Sequence, residues 1–314
     1  MSDRHTFSHR AMACDWGITL YCDDARYAAQ AARAAWDEVD RLERELSRFV
    51  RESDISRINL QPASVPLRIG PDAFACIEMA HEIAVLTGGA FDLTIGSRVN
   101  TRSRDDERSG DGHAIISDSD APIDMRLLPI DRASRSVARL DERIRVDLGA
   151  IGKGYAVDQA VTMLREWRIE AALVHSGGST AYALGAPPAT DAWPLDIRNP
   201  LRHDRILCTE AIRDAALSGS GTLLHGEHII DPRSGRSATG PLAAWVLAAS
   251  AAESDAISTA LMVMDEPAIV DLSRRRPDMT AWYVPRALCG AKHQLIRVRA
   301  GESKPAAEFD TVAR

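Results

Sequence analysis

Apolar residues recurring at three and four positions mark the first long element. Ala28, Ala31, Ala35, Val39, Leu42, Leu46 and Phe49 predict one amphipathic helix that starts after Asp24. Its alanines favour helix intrinsically and permit close packing. Ahead of it, the segment from Ala11 to Tyr21 ends in alternation, with Ile18 and Leu20 beside Thr19 and Tyr21, and predicts a strand. A second helix is expected from about Pro71 to Leu86, with Pro71 in its first turn, Ile77, Ala80 and Ala84 as its stripe, and Gly88-Gly89 as its stop. Val157, Ala160, Val161, Leu164 and Trp167 share a face of a third helix. Ala171 to Val174 then reads as a buried strand closed by the turn Ser176-Gly177-Gly178. Strand and turn signals continue from Ile212 to Ile230. Trp245 to Ala249 predicts a strand leading into a last major helix, which should begin just after Ser250 because Ser250 and Glu253 are spaced as a capping box. Strands and helices are mixed, with hairpin-like spacing in the second half. The fold class expected is α+β or mixed α/β, in a single domain over 1–314.

Composition narrows the function classes. The 314 residues are 45% hydrophobic and 26% charged, as in an ordinary globular protein. A net charge of -7 argues against non-specific binding to nucleic acid, which rewards excess Lys and Arg. Cys14, Cys22, Cys76, Cys208 and Cys289 are scattered without a C-x-x-C pair, which fits reduced thiols better than a disulfide framework. The opening MSDRHTFSHR has no apolar signal-peptide core, and no run reaches transmembrane length. A cytoplasmic protein without a membrane anchor is expected. The polar stretch from Asn100 to Asp120 reads as a solvated loop.

Four constellations could carry chemistry. Asp147-Leu-Gly-Ala-Ile-Gly-Lys-Gly-Tyr-Ala-Val-Asp158 sets glycines 149, 152 and 154 around Lys153 just ahead of a helix. Backbone amides and a cation there suit a phosphate, although a tight turn with an exposed lysine explains the pattern equally well. It is not a Walker A loop: Asp147 stands where the leading Gly is needed, and Gly154 where Ser or Thr is needed. Asp255 and Thr259, four apart on a helix, stack a carboxylate and a hydroxyl on one face, which suits a hard cation such as Mg²⁺. The plain alternative is an exposed acid and a surface threonine. His228-Ile-Ile-Asp231-Pro-Arg-Ser-Gly235 reads as a strand end and a turn. His225 and His228 lack a third ligand at zinc spacing, so His228 is either a site residue or a structural histidine. Ala90-Phe91-Asp92 follows a helix stop. Its acid could bond an amide-rich ring edge, or Phe91 and Asp92 could simply be a buried aromatic and a turn former. Ser176 and Ser220 fail the G-x-S-x-G frame of serine hydrolases, broken by Val174 and Ser218.

The order of these motifs is more specific than any one of them. Ala-Met12-Ala-Cys, Leu46-Ser-Arg-Phe with Ser56-Arg-Ile-Asn59, Gly-Ala90-Phe-Asp92, the Lys153 segment, Ser176-Gly-Gly, Ser218-Gly, the His228 segment and Asp255-x-x-x-Thr259 follow one another along the chain. The ensemble, from about residue 9 to 265, resembles the FAD:protein FMN transferase family, also called the ApbE family. The resemblance implies an α+β domain that binds FAD, with Mg²⁺ at its pyrophosphate. It assigns Asp255, Thr259 and the Ala150 carbonyl to the metal, and Met12, Ala90, Phe91, Asp92, Lys153 and His228 to the flavin nucleotide. The chain departs from the family at Met12-Ala13-Cys14 for Met-Gly-Thr, Asp92-Leu93-Thr94 for Asp-Pro-Thr, and Gly177-Gly178-Ser179 for Gly-Gly-Asp.

The reaction implied is attack by a Ser or Thr hydroxyl of an acceptor flavoprotein on the FMN-side phosphorus of FAD, with AMP leaving. Such a displacement needs alignment and charge neutralisation. Asp255 and His228 both stand as candidates to take the hydroxyl proton. A Mg²⁺-dependent FAD pyrophosphatase, with water as nucleophile, and a non-catalytic FAD-binding protein are the competing functions. Retention of Lys153, Asp255 and Thr259 favours catalysis.

Overall fold

The computed structural model describes residues 2–101, 114–116, 120–221, 229–286 and 292–310. Among them, nine strands form one sheet, lying side by side in the order in which they occur along the chain. They are Asp3–Ala11, Cys14–Cys22, Ala172–Ser176, Thr180–Leu184, Ala215–Gly221, Ala243–Ala248, Thr280–Val284, His293–Arg299 and Glu302–Phe309. Every neighbouring pair is antiparallel. Such pairs can be joined by short turns, which is how chain order survives across the sheet. The fold is therefore α+β.

Between the second and third strands the chain makes its longest excursion, through α1 (Ala25–Leu46), α2 (Asp54–Leu60), α3 (Pro71–Leu86) and α4 (Gly152–Glu166). After Ala243–Ala248 it forms α5 (Ala251–Leu261) and α6 (Glu266–Arg275). Alternation along the strands serves two cores. Val174, Ala216 and Val246 face α1, α4 and α5. Leu173, Leu217 and Leu247 face the long hairpin Trp193–Asn199 and Arg202–Ile212, which covers the other side.

The stripe expected on α1 is buried from Ala28 to Leu46, and Asp24 caps the helix by accepting from the amides of Arg26 and Tyr27. The helix stops three residues before Phe49, which is 59% exposed. Ser47 explains the stop: its hydroxyl accepts the Phe49 amide at 3.2 Å, a local bond that competes with helix. α3 has the expected bounds, and Gly88 and Gly89 follow at φ 60° and 79°.

α5 begins where the capping box placed it, with Ser250 accepting the Glu253 amide at 3.3 Å. It is not the last helix. α6 follows, capped by Asp265 on the Ala268 amide at 3.0 Å. The strand Asp3–Ala11 is hidden in a polar sequence. Its half-buried positions are His5, Phe7 and His9, and His9 meets Asp40 at 2.6 Å while stacking on Trp36. Of the expected solvated loop, Val99–Thr101 pairs with Ala114–Ile116, and 102–113 and 117–119 lie outside the described residues. No helix among the described residues is long and apolar enough to cross a membrane.

Candidate active site

The site is built on the crossing of α4 and α5. Asp158 of α4 accepts the Ala251 and Ala252 amides at 2.8 and 2.9 Å and the Ser250 hydroxyl at 2.8 Å, capping the start of α5 from outside. One acid thus satisfies several donors that a helix N-terminus leaves open. Gly154 lets the helices meet: a Cβ there would stand 2.3 Å from the Ala251 carbonyl oxygen. The contact carries the Gly154 amide to the Asp255 carboxylate, where it donates to Oδ2 at 3.2 Å.

Asp255 is 5% exposed. Burial pushes its carboxyl above the usual carboxylate range, opposed by the nearby Lys153 charge, the Gly154 amide and the Thr180 hydroxyl. One turn on, the Thr259 hydroxyl meets Ser220 Oγ at 3.2 Å and donates to the Asp255 carbonyl at 3.2 Å. The Gly154 amide would otherwise close a helical turn onto Ala150. Spent on Asp255, it leaves the Ala150 carbonyl without a backbone hydrogen bond among the described residues. Lys153 Nζ reaches the Gly149 carbonyl at 3.5 Å.

Asp255, Thr259, Ala150 and Lys153 line one cavity of about 330 Å³. Ala90, Phe91 and Asp92 form another wall of it. Phe91 is buried, and its amide donates to Thr87 Oγ1 at 3.2 Å. Asp92 has both oxygens engaged: Oδ1 accepts from the Thr94 amide and hydroxyl at 2.7 and 2.6 Å, and Oδ2 from the Met125 amide at 3.0 Å. Its carboxylate forms the turn, so the contribution of this residue to the cavity is mainly shape.

Met12 is not brought into the lining. It sits at φ 49° in the turn between the first two strands, at the sheet end that also holds Ser176 and Gly177. His228 lies outside the described residues, but Ile229, Ile230 and Pro232 directly after it line the cavity. The turn that follows is held by Asp231, which accepts the Arg233 amide at 3.0 Å and its guanidinium at 2.8 Å.

Three positions escaped the motif reading. Asp147 lines the cavity, accepts the Gly149 amide at 2.9 Å and pairs with Arg48 at 3.4 Å. Ser220 lines it too, and meets Ser258 at 2.8 Å. Asn59 clamps the strand-like segment before Asp147, donating to the Val146 carbonyl at 2.9 Å and accepting its amide at 2.7 Å. Asn59 and Asp147 fall within motif segments and Ser220 directly follows Ser218-Gly219, so a side-chain-by-side-chain reading of those segments and their flanks would have found them.

Among the described residues, no three His, Cys, Asp or Glu side chains gather as a metal cage. A cation here would rest on oxygens: the Asp255 carboxylate, the Thr259 hydroxyl and the free Ala150 carbonyl. That donor set is hard and incomplete. It suits Mg²⁺, which keeps waters and binds substrate phosphates, and does not suit zinc.

The sequence profile of the ApbE family matches residues 12–283. The chain belongs to the ApbE family. Among ApbE relatives, the FAD:protein FMN transferase of Salmonella typhimurium is 28% identical over 285 residues, covering 85% of this chain and 80% of that protein. The FAD:protein FMN transferase of Treponema pallidum is 27% identical over 289 residues, covering 82% and 78%. The fold is that of the flavin transferase ApbE from Vibrio cholerae, with a TM-score of 0.81 at 21% identity over 96% of this chain and 99% of that one. The apo Pseudomonas stutzeri flavinyl transferase ApbE gives 0.79 at 21% identity over 95% and 96%. The expectation of a transferase enzyme with the ApbE fold is met.

Proposed function

We propose that this chain is a Mg²⁺-dependent FAD:protein FMN transferase that moves FMN from FAD to a Ser or Thr hydroxyl of an acceptor protein and releases AMP. One observation carries the reading: Asp255 and Thr259 from α5 and Ala150 and Lys153 from the start of α4 line the same cavity. The names of the relatives support it.

In this reaction the acceptor oxygen forms a bond to the FMN-side phosphorus, and the bridging P–O bond breaks with its electron pair leaving on AMP. Asp255, Thr259 and the Ala150 carbonyl are the groups that would hold a Mg²⁺ ion. When bound, Mg²⁺ neutralises phosphate charge and stabilises the leaving group. Lys153 adds a second positive charge at the mouth of α4, where backbone amides already favour an anion. Ala90, Phe91 and Ile229 supply an apolar wall to the same cavity. The hydroxyl proton goes to Asp255 or to His228, the residue that precedes Ile229. We place the enzyme and its acceptor in the cytosol, a reading supported by free thiols at Cys14, Cys22, Cys76 and Cys208.

The test is incubation with FAD, Mg²⁺ and a candidate acceptor, followed by mass spectrometry and nucleotide analysis. AMP with an acceptor heavier by FMN less water supports the transferase. Free FMN and AMP without an adduct would make it a hydrolase, and intact bound FAD a carrier. Asp255→Ala should abolish Mg²⁺-dependent turnover in a folded protein.

A further inference from the structure

Two buried hydroxyls on the strands that pack against α5 lack partners of their own. Thr180 is 2% exposed and Ser218 is 0% exposed, and neither oxygen makes a hydrogen bond of good geometry. The two residues are directly opposed on adjacent antiparallel strands, Thr180–Leu184 and Ala215–Gly221. Opposed side chains share a face, with Cβ atoms about 4.5–5.5 Å apart. The face is the one toward the helices, because Tyr182 and Ala216, two positions along each strand, belong to the helix-side core.

Apolar residues fill that face elsewhere, and a buried hydroxyl without a bond is costly. Nearby Ser220 does not share the problem, being engaged with Ser258 and Thr259. Asp255 does have acceptor capacity to spare. The Gly154 amide occupies one site on Oδ2, whereas an ionised carboxylate offers about four. α5, which carries Asp255, packs on both of these strands, and the Thr180 hydroxyl is one of the groups that interact with its carboxylate.

We propose that Ser218 donates to Thr180 and Thr180 donates to Asp255, and that this two-hydroxyl chain is a positioning device that fixes the carboxylate toward the cavity. In this arrangement both orphaned oxygens are satisfied together, and each hydroxyl spends its one proton once. The Gly154 amide from α4 and the Thr180 hydroxyl from the sheet then grip the carboxylate from two sides. The inference rests on the metal-holding role proposed for Asp255.

The probe is Mn²⁺, titrated into the full-length protein with FAD and followed by the electron paramagnetic resonance of the free ion. Thr180→Val keeps the shape and removes the hydroxyl, and should weaken Mn²⁺ binding by about tenfold or more, as loss of a ligand-orienting partner does. Ser218→Ala should weaken it less, the double variant should be no worse than Thr180→Val alone, and Thr180→Ser should restore binding. If Thr180→Val binds Mn²⁺ like the wild type while Asp255→Ala does not, the hydroxyl chain is wrong and the metal reading stands. If Asp255→Ala also binds like the wild type, both fall. Loss of thermal stability in Thr180→Val with no change in Mn²⁺ affinity would mark a purely structural role and overturn the proposal.

Discussion

Gly154 and Asp255 are held together by a 3.2 Å hydrogen bond across a gap too narrow for any side chain at position 154. The glycine does two jobs, letting α4 approach α5 and supplying the amide that occupies one carboxylate oxygen. In Gly154→Ala the added methyl would meet the Ala251 and Ala252 backbone, which has no rotamer through which to yield. We expect a loss of ~2 kcal/mol or more in urea unfolding, in the range of overpacked cores. Mg²⁺-dependent turnover should fall further than the stability loss explains, because the helix start carrying Ala150 and Lys153 is pushed away from Asp255.

Lys153 is half-buried, and among the described residues its ammonium has a long hydrogen bond to the Gly149 carbonyl and lies near the Asp255 carboxylate. Lys153→Met should therefore fold normally. Losing a charge-assisted contact to phosphate should raise the KM for FAD by about tenfold or more. Steady-state kinetics at saturating Mg²⁺ would check this. An unchanged KM would remove Lys153 from the nucleotide site.

His81 offers a pH prediction away from the chemistry. Its Nε2 meets the Leu128 carbonyl at 2.9 Å, as a neutral imidazole donating that proton. Burial lowers its pKa below the ordinary 6.5, with Arg132 adding to the effect and the Leu128 bond and Asp92 opposing it. Above pH 6.5 the ring is neutral in both folded and unfolded chains. As pH falls below that value the unfolded chain takes up a proton that the folded one resists, so stability is lost until the folded pKa is passed. The slope should reach at most ~1.4 kcal/mol per pH unit. Denaturant melts from pH 7 to 5 should show this slope in the wild type and a shallower one in His81→Gln.

The turn between the first two strands carries two non-glycine residues at positive φ, Met12 at 49° and Ala13 at 60°. Paired positive φ values belong to a type I′ hairpin turn, for which the second position favours Gly. Ala13→Gly should relieve the strain and stabilise the protein by roughly 1 kcal/mol. A melt that is unchanged or lowered would show that the turn is not strained.

Much of this site was legible because its parts are local. The Ser250 cap, the proline and glycine bounds of α3, and the four-residue spacing of Asp255 and Thr259 depend on nearest neighbours along the chain. Long-range partners were not legible. Nothing around Asp158 says that it will cap another helix, and nothing around Thr180 or Ser218 says that they will oppose each other under Asp255. The same limit hid the first strand. Its half-buried face is His5, Phe7 and His9, and His9 looks polar until Trp36 and Asp40 arrive from α1. The period that places Phe49 on α1 runs one repeat past the helix, against a serine whose hydroxyl claims the Phe49 amide.

The external cap by Asp158 also orders assembly in time. A nascent chain emerging from the ribosome exposes α4 long before residues 251–261 exist to cover it, so the cavity between α4 and α5 is a late product of synthesis. A chain truncated within that interval should not resist protease, and, if the proposed site holds FAD, should not retain it either.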